Sequence, residues 1–152
     1  NPQGLAFHPQ TGDLWEAEHG PRGGDELNKI VKGQNFGWPA ISYGINYNGT
    51  IITEKTHEVG MLQPHYYWLP SIGVCAIDFY EGDRFPRWSE NLLVASLRFG
   101  RLHRLQLEDD RVLHDEILFE SGRLRDIETG PDGLIYLALE KPGRIVRLVP
   151  AN

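Results

Sequence analysis

The stretch "EAEHGPRGGDELN", Glu16 to Asn28, places four carboxylates, one histidine and three glycines in thirteen positions. Asp25 and Glu26 are adjacent hard oxygen ligands, and Pro21 with its neighbouring glycines bends the backbone so that carbonyl oxygens can converge. An oxygen-only donor set of this kind suits calcium. The spacing does not match an EF-hand, and a solvated acidic turn is the other reading of the same residues. A histidine such as His19, taken by itself, is more often a surface or hydrogen-bonded residue than a metal ligand. A second cluster is cationic. Arg123 and Arg125 alternate about Leu124 in "GRLRD", so in a strand both guanidiniums lie on one face. Two forked donors there suit an anionic, carboxylate-bearing ligand. Ordinary pairing with nearby Asp and Glu is the alternative use.

These residues sit in a chain of 152 residues with 40% hydrophobic content, 11% aromatics and a net charge of −6. That length and composition support one folded domain with a substantial core. The acidic balance excludes sequence-independent nucleic-acid binding, which needs a basic face. No run of residues approaches the length of a membrane-spanning helix. The single cysteine, Cys75, lies in the apolar run "GVCAIDFY", where it reads as a small buried hydrophobe and leaves no partner for an intrachain disulfide.

The positioning elements read as strands. "GLAFHP", "DLWEAE", "CAIDFY", "NLLVASL", "RLHRLQL", "VLHDEILF", "LIYLALE" and "RIVRLVP" are short apolar or alternating runs bounded by turn residues, and no segment carries helical periodicity beyond two turns. The fold class is therefore all-β. A weak internal repeat chooses among all-β architectures: "GLAFHPQTGDLWEAE" matches "DIETGPDGLIYLALE" in form, and "CAIDFYEGDRFPRWSENLLVASL" is a looser copy with a longer turn. Units of this kind, each continued by a further strand pair, predict a β-propeller with about three four-stranded blades. Three blades do not close a ring, and the chain starts abruptly at "NPQGLAF", so we expect either a segment of a larger ring or two copies completing one. Residues 34–65, rich in Gly, Asn, Tyr and Thr, read as a long ordered loop inserted in this 1–152 partial propeller domain.

"NPQGLAFHPQTGDLWEAEHGPRGGDELNKIVKGQNFGWP" resembles the identifying segment of the soluble PQQ-dependent glucose/sorbosone (aldose sugar) dehydrogenases, a family of six-bladed propellers. The similarity continues through "YYW", "LLVASLRFGRLHRL" and "GRLRDIETGPDGLIYL" to the end. It implies that the chain is the C-terminal half of such an enzyme, periplasmic or secreted. The resemblance assigns the carbonyls of Gly20 and Pro21 to the Ca²⁺ that also binds pyrroloquinoline quinone (PQQ). It gives Glu26 and the Phe36 carbonyl to a second, structural Ca²⁺, with Asp25 as a further participant. Asn1 and Gln3 match a cofactor-contacting motif, Arg123 and Arg125 match the pair that grips PQQ, and Arg98 stands where the family has a cofactor-contacting Lys. His19 becomes a pocket residue beside the cofactor calcium, and Trp68 is either an aromatic wall for the sugar or part of the blade packing.

The implied reaction is oxidation of the C1 hydroxyl of an aldose to a lactone, with a histidine base removing the proton and hydride passing to PQQ. None of His8, His57, His65, His103 or His114 matches that base, which is expected upstream of Asn1. The isolated chain is accordingly expected to bind Ca²⁺ without oxidising sugar. In the intact enzyme the partners are the aldose and an electron acceptor, and open blade edges predict a homodimer. Two other classes remain: a non-catalytic calcium-binding propeller that serves as an interaction module, against which the Arg123/Arg125 pair argues, and a calcium-dependent sugar lactonase, whose side-chain metal site contrasts with the carbonyl-rich loop here.

Overall fold

The computed structural model describes residues 1–151. Eleven strands form three antiparallel sheets. The first sheet holds β1 (Pro2–Phe7), β2 (Leu14–Glu18), β3 (Asp25–Lys29) and β4 (Tyr66–Trp68), in that spatial order. The second holds β5 (Val74–Phe79), β6 (Leu92–Ser96), β7 (Arg101–Glu108) and β8 (Arg111–Glu120). The third holds β9 (Leu124–Thr129), β10 (Ile135–Leu139) and β11 (Arg144–Leu148). Each sheet is an up-and-down meander, the form of a propeller blade. The third has three strands among the described residues instead of the expected four, because no further strand pairs with β11.

The blades meet through their first strands: β1 packs on β5, and β5 packs on β9. Gly4 permits the first approach, since a Cβ there would lie 2.8 Å from the Ile77 amide nitrogen. Between the sheets run two apolar layers. Trp15, Ala17, Leu27 and Trp68 of the first blade pack with Val74, Ile77, Phe79 and Leu92 of the second. Ala76, Leu93, Ala95 and Leu102 of the second pack with Leu124, Ile127, Ile135 and Leu137 of the third. Period-two alternation explains both layers, because Leu92 and Val94 face one neighbour while Leu93 and Ala95 face the other. Polar bonds also tie the blades: Asp78 accepts from the Thr129 amide and hydroxyl at 3.0 and 2.7 Å, and the Tyr80 hydroxyl donates to the Gly133 carbonyl at 2.6 Å.

The repeat extends to an irregularity. In each blade the pairing of first and second strands slips by one residue at the same end, skipping Gln3, Cys75 and Arg125. A bulge bends its strand and re-aims the extra side chain. Gln3 and Arg125 are thus equivalent positions in different blades, and both were selected as site residues from the sequence.

Two elements were not legible. β3 begins at Asp25, inside the stretch read as an acidic turn: Asp25 and Lys29 share one face with Leu27 and Glu26 shares the other with Asn28, so no apolar alternation marks the strand. β4 is only three residues long and follows the excursion of residues 30–65, which lies between the third and fourth strands of the first blade. That excursion has no strand of its own and folds back through isolated bridges, including Arg22 with Ile45.

Candidate metal and anion site

The site residues gather at one end of the blades because of topology. The start of each first strand lies beside the turn that leaves the second strand: Pro2 pairs with Glu18, Val74 with Ser96, and Leu124 with Leu139. Asn1, His19–Gly24, Ser71–Gly73, Leu97–Arg98 and Arg123 therefore converge from three blades.

They line two adjoining hollows. The first, about 260 Å³, is acidic and is bounded by Asn1, Glu18, Gly20, Glu26, Phe36 and Tyr47, among others. The second, about 480 Å³, is bounded by Arg22, Arg98, Arg123, Ser71 and Gly73. His19, Pro21 and Tyr47 line both. The bend at Gly20–Pro21 thus stands between negative and positive walls.

The acidic wall follows from register. Glu18 pairs with Glu26 and Glu16 with Asn28, so all four share one sheet face, while Trp15, Ala17 and Leu27 face the core. Burial, reinforced by the charge of Glu18, pushes the carboxyls of Glu16 and Glu26 up to about 7. Glu16 is 4% exposed, and its Oε1 is buried without a hydrogen-bond partner. Asn28 reaches only its Oε2, at 3.4 Å.

The bend itself is set by glycine. A Cβ at Gly20 would fall 2.4 Å from the Gly24 carbonyl oxygen, and Gly23 and Gly24 adopt φ of 94° and 70°. Among the described residues, no hydrogen bond ends on the carbonyl oxygens of Gly20, Pro21 or Phe36. Free carbonyls beside crowded, buried carboxylates form a donor set that a hard divalent cation fits.

Asp25 corrects the sequence reading. Its carboxylate is fully buried and accepts four hydrogen bonds, from Gly20 N, Ser71 Oγ, Gly73 N and Val74 N. With its acceptor positions filled by protein donors, this side chain is a tie and not a metal ligand. Of the two uses open to Trp68, the structure takes blade packing. That side chain is 5% exposed, sits in the layer between the first and second blades, and donates from Nε1 to Asp115 Oδ2 at 3.1 Å, so it presents no wall to a sugar.

On the basic side, Arg98 donates from Nη1 to the Ser71 carbonyl at 3.1 Å and lies over the Phe99 ring. Arg123 and Arg125 both turn to Glu140, donating from Nε to the same Oε2 at 3.0 and 2.9 Å. The Arg123 bond first, and then the charge of Arg125, hold the Glu140 carboxyl below its usual range. The two guanidiniums are nearly half exposed, at 45% and 49%, and only Arg123 lines the cleft. Gln3 is exposed and donates to Asn1 Oδ1 at 3.0 Å, at the rim of the acidic hollow. Of the six histidines, only His19 lines the cleft, with Nδ1 at 3.2 Å from the Val74 carbonyl oxygen. Glu16, Glu18, Arg22 and Tyr47 escaped sequence reasoning. The i, i+2 spacing of Glu16 and Glu18 opposite Trp15 and Ala17 held the signal for the first two. No local pattern marks Arg22, in the turn between β2 and β3, or Tyr47, in the long excursion whose Ile45 bridges to Arg22.

Comparison with known proteins agrees with this architecture. The family described as glucose/sorbosone dehydrogenase matches over residues 1–147. Aldose sugar dehydrogenase YliI of Escherichia coli (strain K12) is 43% identical over 157 residues, covering 100% of this chain and 42% of that protein. A crystal structure of a glucose dehydrogenase superposes with a TM-score of 0.94 at 43% identity, over 100% of this chain and 45% of that one. The PQQ-bound form of an aldose sugar dehydrogenase from Streptomyces coelicolor superposes with a TM-score of 0.74 at 26% identity, over 98% and 43% of the two chains. The chain thus spans less than half the length of these relatives. With its blades, its repeat and its match over nearly every residue, the chain belongs to the glucose/sorbosone dehydrogenase family.

Proposed function

We propose that this chain is the metal- and cofactor-holding portion of a PQQ- and Ca²⁺-dependent aldose sugar dehydrogenase, which oxidises the C1 hydroxyl of aldoses to lactones outside the cytoplasm. One observation carries the reading: a glycine bend with free carbonyls stands between a carboxylate-lined hollow and an arginine-lined cleft. Gly20 and Pro21 hold the ion that faces the cofactor, and Glu26 with Phe36 holds a second, structural ion. When bound, PQQ supplies the two-electron acceptor and Ca²⁺ the Lewis acid. The chain's own residues do the rest: Arg98, Arg123 and Arg125 receive carboxylates of the cofactor, His19 borders it, and Asn1 and Gln3 close the rim. Arg123 and Arg125 would exchange part of their bonding with Glu140 for the ligand, which their exposure permits.

Calorimetric titration with CaCl₂, followed by titration of PQQ into the Ca²⁺-saturated chain, tests this reading. Binding of both is expected, with PQQ affinity lost in an Arg98→Ala/Arg123→Ala double variant. Aldose-dependent dye reduction by the isolated chain is expected to be absent, because no histidine other than His19 borders the cleft. Robust turnover after adding PQQ would contradict that assignment. Binding of Ca²⁺ without PQQ would favour a non-catalytic interaction module, for which the shared neutralisation of Arg123 and Arg125 by Glu140 speaks.

A further inference from the structure

Asp25 is a carboxylate of the acidic stretch that does not line the hollow. It opens β3 completely buried, and its donors come from two separate segments. Oδ1 accepts from the Gly20 amide at 2.9 Å and the Ser71 hydroxyl at 2.6 Å. Oδ2 accepts from the Gly73 and Val74 amides at 2.6 and 3.0 Å. The first segment is the bend between the two hollows, and the second is the connection from β4 to β5.

That connection also touches the other side of the site. The Ser71 carbonyl receives Arg98 Nη1, and the Val74 carbonyl meets His19 Nδ1. The glycine bend, Arg98 and His19 are therefore each linked to a residue that donates to Asp25. Glycines at 20 and 73 have no side chain with which packing could fix them, and Gly73 adopts a φ of 69°. Their peptide planes depend on hydrogen bonds, and bonds to a buried carboxylate are about twice as strong as neutral ones.

We propose that Asp25 is a positioning residue that couples the metal bend to the anion cleft. It holds the Gly20 peptide so that the adjoining carbonyls stay free, and it sets the Ser71–Val74 segment that carries Arg98 and His19. This inference rests on the metal and cofactor reading above.

Asp25→Asn keeps the shape but turns an NH₂ group toward protein donors. Calorimetry with CaCl₂ is expected to show binding weakened about tenfold or more, as a charge-assisted network loses its acceptor. PQQ binding to the Ca²⁺-saturated variant should stay weaker than in the parent chain, because Arg98 and His19 shift as well. Ser71→Ala removes one donor and should move both affinities in the same direction by a smaller factor. Asp115→Asn serves as the structural control: it removes a partly buried carboxylate tie away from the two hollows, and should lower the melting temperature without altering Ca²⁺ affinity.

Parent-like Ca²⁺ affinity in folded Asp25→Asn overturns the proposal. If that variant does not fold by circular dichroism, parent-like affinities in Ser71→Ala overturn it instead. Failure of the parent chain to bind either Ca²⁺ or PQQ removes the functional reading itself, and is told apart by requiring no variant.

Discussion

At the scale of single residues, the two raised carboxyls make a pH prediction. Glu16 and Glu26 titrate near 4.5 when unfolded and at about 7 when folded, chiefly through burial. Between those values the folded chain holds protons that the unfolded chain has released. These groups therefore destabilise the fold progressively as pH rises from about 4.5 to about 7, and fully above it. In chelator, the melting temperature should fall across that window. Added CaCl₂ should restore it more at about pH 7.5 than at about pH 5, since only the ionised carboxylates bind the metal. Glu16→Gln should flatten the chelator profile; an unchanged slope would show that Glu16 does not carry this proton linkage. Cys75 makes a different prediction. Burial pushes its thiol up to about 12, and Sγ lies 3.1 Å from the Leu124 carbonyl oxygen, so the folded chain should not react with a thiol reagent until denaturant is added.

At the scale of elements, the turn between β2 and β3 and the short strand β4 carry the most consequence. Gly20→Ala drives a methyl into the Gly24 carbonyl, and overpacking of this kind costs about 1–3 kcal/mol. The variant should lose Ca²⁺ affinity even below its lowered melting temperature. Trp68→Phe keeps the interblade packing but deprives Asp115 of a donor, leaving it with His103 at 2.7 Å and Tyr66 at 3.4 Å. A cost of about 1–3 kcal/mol is expected from urea unfolding. If Trp68 met the sugar instead, the change would appear in substrate affinity and not in stability.

At the scale of the molecule, the blades stand or fall through the layers between them. Leu93 is fully buried between the second and third blades, and Leu93→Ala should cost about 2–5 kcal/mol in denaturant unfolding. The outer face of the first blade is different: Leu5 and Phe7 are 62% and 67% exposed on β1, on the same face as Glu16 and Glu18. Such a face and the edge of β11, unpaired among the described residues, favour association with a further blade or a second copy of the chain. Sedimentation should show a species heavier than 17.3 kDa, and a dispersed monomer of that mass would count against self-association.

Alternation within strands, turn residues between them and the repeated Pro/Gly turn made the blades legible, because all three are local. The same locality singled out the Pro21 bend with its glycines, the Asp25–Glu26 pair and the Arg123/Arg125 alternation, while Arg98 came from the family resemblance. The tie made by Asp25 and the choice between the two uses of Trp68 were not legible, since each depends on partners about forty to fifty residues away: Ser71, Gly73 and Val74 for Asp25, and Asp115 for Trp68. The sequence by itself determined which residue types could meet a cation and an anion. Only the tertiary structure decided which carboxylates face the hollow and which are consumed by backbone donors, because a carboxylate's role is set by the groups that reach its oxygens, and those arrive from other blades.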